Sequence, residues 1–333
     1  MKYVKLGKTD MNVSVLSLGC WAFAGDYFWG EQDDKDSKET VDAAIDLGIN
    51  FLDTAAAYGM GKSEEVLGEC LKGKRDKVIL ATKQAGPNLE PAKLIESVDK
   101  SLSNMKTDYI DLFYIHWPNM KVPFGDTMEG IARLKKDGKI RAAGISNFGL
   151  QQMDMLEKTG MLDLIEVHQL PYNLFWRAIE FGLQDKCIEK GLGLICYSSL
   201  AQGLLSGRYN SAADVPDHLK VTRFYKDPEE KNHKGPGCEE EVFEALAELK
   251  ALCKDANVLL PNACLAWLFK QKGVTAILSG PRKVTELMEN YKSMETEISD
   301  EFAAKMTAIS EKVKAKIGSN TDMWMHGDRA RSF

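Results

Sequence analysis

Positive charge is in short supply. The 333-residue chain carries 43 lysines and arginines against 49 aspartates and glutamates, a formal net charge of −6. No global positive field draws phosphate backbones or anionic lipid, which argues against nucleic acid and membrane surfaces as partners. No apolar run reaches the roughly 18 residues that cross a bilayer. The opening segment MKYVKLGKTD also lacks the apolar core of a secretory signal, so a cytoplasmic location is expected. The seven cysteines (Cys20, Cys70, Cys187, Cys196, Cys238, Cys253 and Cys264) are odd in number and include no CxxC pair. That pattern indicates neither a disulfide framework nor a zinc site, and reduced core residues are expected. His218, His233 and His326 fall in polar loops without metal-ligand spacing, so no metal is expected.

What the chain does contain is a globular balance of 44% hydrophobic and 28% charged residues. After a short hairpin (2–6 and 11–13), apolar β-rich runs alternate with amphipathic stretches about thirty to forty residues apart. Eight strands are expected, at 13–20, 49–55, 77–83, 109–117, 140–147, 164–170, 192–200 and 275–280. Helices are expected between them at 37–47, 63–72, 91–104, 126–137, 149–159 and 181–190. Nearly all-apolar strands separated by helices are buried on both faces, the mark of a parallel sheet, and eight such units suggest a closed (β/α)8 TIM barrel. Between the seventh and eighth strands lies a polar, Gly- and Pro-rich excursion (202–237), followed by helices at 239–255 and 261–271. Helices at 283–292 and 298–315 and a C-terminal tail (316–333) end the chain. Length does not decide the domain count, because α/β barrels reach about 250 residues or more as one domain. Residues 1–333 are read as a single barrel domain.

Catalytic groups of such barrels stand at the carboxyl ends of the strands. The second strand reaches Asp53, with Tyr58 five residues later; the third ends in Lys83, and the fourth reaches His116. A free phenol has a pKa of about 10, and a neighbouring ammonium lowers it. Lys83 is expected to act on Tyr58 in this way, with Asp53 keeping the lysine charged and His116 orienting a substrate carbonyl. Tyr58 then gives its proton to the carbonyl oxygen. No side chain supplies a hydride, so a nicotinamide cofactor is implied.

With these residues in place the chain resembles the aldo-keto reductases. The resemblance is carried in order by FLDTAAAYGMGKSEEVLG (51–68), ATK (81–83), DYIDLFYIHWP (108–118), GKIRAAGISNF (138–148), EVHQLPYN (166–173), YSSLAQGLLSGRY (197–209) and ILSGPRKVTELMEN (277–290). It runs from about residue 3 to residue 312. It is nearest the bacterial branch with inositol- and sugar-linked oxidoreductases and potassium-channel β-subunit-like proteins. The resemblance implies that Asp53, Tyr58, Lys83 and His116 form a catalytic tetrad. It also implies that Ser146, Asn147 and Gln169 hold the nicotinamide carboxamide and that Tyr197 stacks on its ring. Ser198, Leu200, Gln202 and Gly203 then lie near the pyrophosphate, and Gly280, Arg282 and Asn290 at the adenosine end. NADP(H) is favoured, with NAD(H) as the alternative, because Glu286 brings a carboxylate near the ribose. Ser199 stands where the family more often has proline.

Trp21, Phe28, Trp29 and Trp117 flank the tetrad in sequence and are expected to wall a substrate pocket, with packing between loops as the alternative. The resulting function is reversible reduction of aldehydes or ketones by direct hydride transfer, on a small-molecule carbonyl or alcohol substrate, with oligomeric state open. A cofactor-binding regulatory or redox-sensing subunit is the second reading, and a Lys83 Schiff-base barrel the third. GMGKS (59–63) is not a P-loop, since the first glycine it needs is Ala56, and Ser63 reads instead as a helix N-cap. GLGLIC (191–196) likewise lacks the last glycine of a dinucleotide fingerprint. His168 should point away from Gln169 into packing, and Cys20 reads as a buried hydrophobe. The apolar cluster Met323, Trp324 and Met325 leaves the tail as either a lid or subunit contact, or a frayed end.

Overall fold

A computed structural model describes residues 1–333. Two short strands, β1 (Tyr3–Lys5) and β2 (Asn12–Ser14), form an antiparallel hairpin. Eight parallel strands then close a barrel: β3 (Leu16–Gly19), β4 (Phe51–Asp53), β5 (Ile79–Gln84), β6 (Ile110–Ile115), β7 (Ile140–Ser146), β8 (Val167–Pro171), β9 (Gly193–Tyr197) and β10 (Val274–Ser279). Each pairs with the next, and β10 pairs with both β9 and β3. The expected first strand, 13–20, is in fact two, since the chain turns at Val15 from hairpin to barrel. One apolar stretch thereby serves two sheets, which alternation alone does not reveal.

The barrel interior and the hairpin share one apolar cluster, in which Leu6, Met11 and Val13 meet Phe51, Ile79, Leu112, Val167, Ile195 and Ala276. The hairpin therefore closes the amino end of the barrel, and the carboxyl end is left for chemistry. A larger cluster fills the space between strands and surrounding helices.

Those helices are α1 (Asp34–Asp46), α2 (Lys62–Cys70), α3 (Pro91–Met105), α4 (Phe124–Lys136), α5 (Leu150–Lys158), α6 (Leu183–Glu189), α7 (Glu239–Asp255), α8 (Leu260–Phe269), α9 (Val284–Tyr291), α10 (Asp300–Ile309) and α11 (Glu311–Ile317). Asp33 caps α1 by accepting from the Lys35 amide, and Ser299 caps α10 by accepting from the Phe302 amide. The single helix expected over 298–315 is divided at Ser310. The excursion contains short 3-10 turns at Ala201–Ser206, Ala212–Asp214 and Asp217–Leu219.

The tail is folded down. Met323 and the Asp322 residue are fully buried. The Arg223 guanidinium, from the excursion, donates to the carbonyls of Ile317 (2.9 Å), Asn320 (3.0 Å) and Asp322 (3.1 Å).

Candidate active site

The barrel register sets Asp53 beside Ala81, and Lys83 beside Tyr114, at the carboxyl rim. Lys83 is wholly buried, so its three donors must be met within the protein. They are: Nζ donates to Asp53 Oδ1, to the Thr54 carbonyl at 2.7 Å and to the Tyr58 hydroxyl at 3.3 Å. The other oxygen of Asp53 accepts from Gln169 Nε2 at 2.8 Å. Burial opposes the charge on Lys83, but Asp53 and Tyr58 hold its pKa above the ordinary value and the ammonium persists.

Tyr58 leaves β4 on a tight turn in which Gly59, Met60 and Gly61 all take positive φ (59°, 55° and 99°). Ser63 secures that turn from below. Its Oγ donates to the Cys20 carbonyl at 2.7 Å and lies 2.7 Å from Thr54 Oγ1. Ser63 is thus not the N-cap of α2; Gly61 occupies that position, and the serine hydroxyl is turned inward to tie two strands together. The expected lowering of the Tyr58 pKa does not occur. Burial raises it, Lys83 opposes and Asp53 adds to the rise, so the phenol stays protonated at neutral pH. Its ring stands nearly perpendicular to His116, centroids 5.9 Å apart. Burial, with the charges of Lys83 and Arg331, drives the His116 pKa well down and keeps the imidazole neutral.

A cavity of about 700 Å³ opens beside this group. Its lining comprises a first group, Asp53, Tyr58, Gln169 and Tyr197, together with Ser198, Leu200, Gln202 and Gly203 and with Gly280, Arg282, Glu286 and Asn290; Lys83 and His116 lie outside the lining. Ser146 and Asn147 stand behind the first group. Ser146 donates to the Gln169 carbonyl (2.9 Å), Asn147 Nδ2 to the His116 carbonyl (3.0 Å), and the Tyr197 hydroxyl to Asn147 Oδ1 (2.7 Å).

Left-handed backbone in non-glycine residues concentrates here, at Asn147, Ser198, Ala201 and Gln202, with φ between 50° and 63°. Each such residue costs of order 1–3 kcal/mol, and such strain gathers at functional sites. Gln202 Nε2 is buried without a partner, and a Cβ on Gly203 would meet nothing within 4 Å. An unmet donor beside an open backbone in this cavity fits the phosphates of a dinucleotide. Ser199 donates to the Leu278 carbonyl at 2.8 Å and fastens the segment after β9 to β10. Glu286 Oε2, in the first turn of α9, reaches back to accept from the Arg282 amide at 2.7 Å. Asn290 Nδ2 donates to Ser279 Oγ at 2.7 Å.

Three of the four aromatics join this cavity. Trp21 is stacked between Phe28 (4.9 Å, 8°) and Tyr58 (5.4 Å, 15°), with Trp29 edge-on at 5.6 Å. Asp26 holds the loop, accepting from Trp21 Nε1 (2.9 Å) and from the amides of Phe28 and Trp29 (3.0 Å each). Trp117 stands apart. Its ring is covered by the Arg331 guanidinium and is not in the cavity wall.

The tail brings residues that the linear motifs do not indicate. Trp324 packs edge-on against Trp21 and Phe28, and the Ser332 hydroxyl donates to the Asn147 carbonyl. Met323 and Trp324 are the only signal for them in the sequence. His168 is buried, accepts from the Phe148 amide at 3.2 Å and has a pKa lowered by burial to about 3. His233, placed in a polar loop by its sequence context, is also buried. All seven cysteines are free and buried, and burial puts the Cys20 pKa well above the ordinary thiol value. No helix is long and apolar enough to cross a membrane.

Residues 15–311 match the model of the Aldo/keto reductase family. The chain is 36% identical over 306 residues to "Aldo-keto reductase YhdN" of Bacillus subtilis (strain 168), covering 86% of this chain and 87% of that one. It is 31% identical over 334 residues to "NADH-specific methylglyoxal reductase" of Escherichia coli (strain K12), covering 93% and 99%. Among solved structures it resembles the glycerol dehydrogenase AKR11B4 of Gluconobacter oxydans, with a TM-score of 0.78, 30% identity and coverage of 93% and 95%.

Proposed function

The chain belongs to the aldo/keto reductase family of oxidoreductases, and on that premise we propose that it reduces aldehydes or ketones to alcohols, reversibly, with Tyr58 as the proton donor. The observation that carries this reading is the buried contact of Tyr58 with the Lys83 ammonium, itself held by Asp53, beside a cavity of about 700 Å³.

When bound, a reduced nicotinamide supplies the hydride that adds to the carbonyl carbon. Gln169, with Ser146 and Asn147 behind it, would hold its carboxamide, Tyr197 its ring face, Ser198, Leu200, Gln202 and Gly203 its phosphates, and Gly280, Arg282, Glu286 and Asn290 its adenosine end. NADP(H) is the favoured cofactor, through Arg282. The neutral His116 donates a hydrogen bond to the substrate oxygen and orients the carbonyl. The phenol of Tyr58, kept protonated by burial, releases its proton to that oxygen as negative charge develops there. Lys83, at 3.3 Å, stabilises the phenolate left behind, and Asp53 anchors Lys83. Trp21, Phe28 and Trp29 form an apolar wall for the substrate and exclude water from the proton transfer. Residues 1–333 act together as one barrel domain, with the tail closing the substrate side.

Tyr58→Phe tests the assignment. It should lower the turnover number by about 10²–10⁴-fold with cofactor affinity nearly unchanged. Retention of more than about a tenth of the activity would remove Tyr58 as the acid. Steady oxidation of NADPH by a panel of aldehydes supports an enzyme, whereas a slow single turnover supports a sensing subunit.

A further inference from the structure

The loop that walls Tyr58 and the segment that opens α9 are joined by one reciprocal side-chain contact. Gln32 lies three residues beyond Trp29. Its Nε2 donates to the Arg282 carbonyl (2.9 Å) and to Ser37 Oγ (3.1 Å), and its Oε1 accepts from Arg282 Nε (3.1 Å). Arg282 Nη2 donates to the Glu31 carbonyl. Both acceptors on this guanidinium are neutral. A carboxylate in their place would cancel the charge, whereas amide oxygens fix the group and leave its charge available to an anion. The neighbouring charges are already committed: Lys283 lies 3.4 Å from Asp36, and Glu286 accepts from the Arg282 amide. Arg282 also lines the cleft.

We propose that Gln32 is a positioning residue for the adenosine end of the cofactor, fixing the Arg282 guanidinium at the cleft with its charge intact so that a 2′-phosphate is read there. This rests on the reading of residues 280–290 as the adenosine site. A group held in advance loses less freedom when its ligand arrives, so the gain falls on the phosphate that Arg282 contacts and not on the rest of the nucleotide.

The test compares the affinities of the full chain for adenosine 2′,5′-bisphosphate and adenosine 5′-monophosphate by calorimetry, since their ratio isolates the 2′-phosphate. Arg282→Ala should lower the ratio about tenfold or more. Gln32→Ala should lower it about three- to tenfold with the monophosphate affinity unchanged. Gln32→Glu sets a negative charge beside the guanidinium and also removes the donors to the Arg282 carbonyl and Ser37 Oγ, so it should lower the ratio at least as far as Gln32→Ala, again with the monophosphate affinity unchanged. If Arg282→Ala lowers the ratio and Gln32→Ala does not, or if Gln32→Ala weakens both nucleotides equally, Gln32 has no such role while the adenosine site stands. If Arg282→Ala leaves the ratio unchanged, or neither nucleotide binds, the adenosine reading fails and the proposal fails with it.

Discussion

The guanidinium of Arg331 lies 3.5 Å from the centre of the Trp117 ring, while its Nε and Nη2 each donate to the Asp322 carboxylate at 3.0 Å. The contact explains why the indole next to His116 is not in the pocket wall: it is a platform for the tail. Two residues on, the carbonyl of Phe333 accepts from the amides of Gln151 and Gln152 at the start of α5 (3.0 and 3.3 Å).

Gly149 offers a clean way to dislodge this tail. Its φ of −84° suits any residue, but a Cβ there would lie 2.4 Å from the Phe333 carbonyl oxygen. Gly149→Ala should displace the last residues and free the Asn147 carbonyl from Ser332. Trypsin should then cut at Arg329 and Arg331 sooner, and KM for an aldehyde should rise about fivefold, the equivalent of one hydrogen bond. Because Ser332 touches Asn147, cofactor affinity should fall as well. Unchanged proteolysis and KM would separate the tail from the site.

Ser63 should matter to turnover although it touches no reactant. Its hydroxyl joins the Cys20 carbonyl to Thr54 beneath the turn that carries Tyr58. Ser63→Ala leaves buried partners unmet, costing about 1–3 kcal/mol of stability in denaturant titration. The rate constant of reduction should drop more than KM changes, since the proton donor loses its footing; equal rates would show that the turn holds without the serine.

Glu286 is expected to tune cofactor choice through charge alone. Glu286→Gln keeps an oxygen to accept from the Arg282 amide, so the local structure stays while a negative charge leaves the cleft. Preference for NADPH over NADH should rise by about three- to tenfold in direct titrations. An unaltered ratio would remove this side chain from the ribose.

Acid should weaken the fold through His168. Its pKa is about 3 when folded, against 6.5 as the ordinary value, so the unfolded chain binds the extra proton between those limits. Its contribution is complete above pH 6.5 and is lost as pH falls through that window, by up to about 1.4 kcal/mol per unit. His116, also held neutral, acts in the same direction. Urea midpoints taken between pH 7 and 5 should fall, and His168→Gln should flatten the slope; a parallel slope would mean that other groups dominate.

The barrel was legible because each strand is a dense apolar run and each helix keeps its own period. The four rim residues were legible because a lysine, an aspartate, a tyrosine and a histidine at the ends of neighbouring strands have few structural reasons to gather. Several other features depend on distant partners. Val15 divides one apolar run between two sheets, and no residue there announces the turn. Ser63 has the position of a cap but finds a better acceptor in Cys20, forty-three residues away. The direction of the Tyr58 shift is not legible in the sequence, because proximity to Lys83 can be inferred from spacing, whereas the depth of burial that outweighs it cannot. Arg331 and Ser332 reach the site across contacts that only the folded tail creates.

That tail sets an order on the making of the protein. All eight barrel strands end by Ser279, so the scaffold can assemble while the remainder is still being synthesised. Trp324, Arg331 and Ser332 reach Trp21, Trp117 and Asn147 only afterwards. Asp53, Tyr58, Lys83 and His116 are thus made early and the contacts that complete their surroundings last, and a barrel that has lost its final turns bares the faces of Trp21, Phe28 and Trp117 that Trp324 and Arg331 cover.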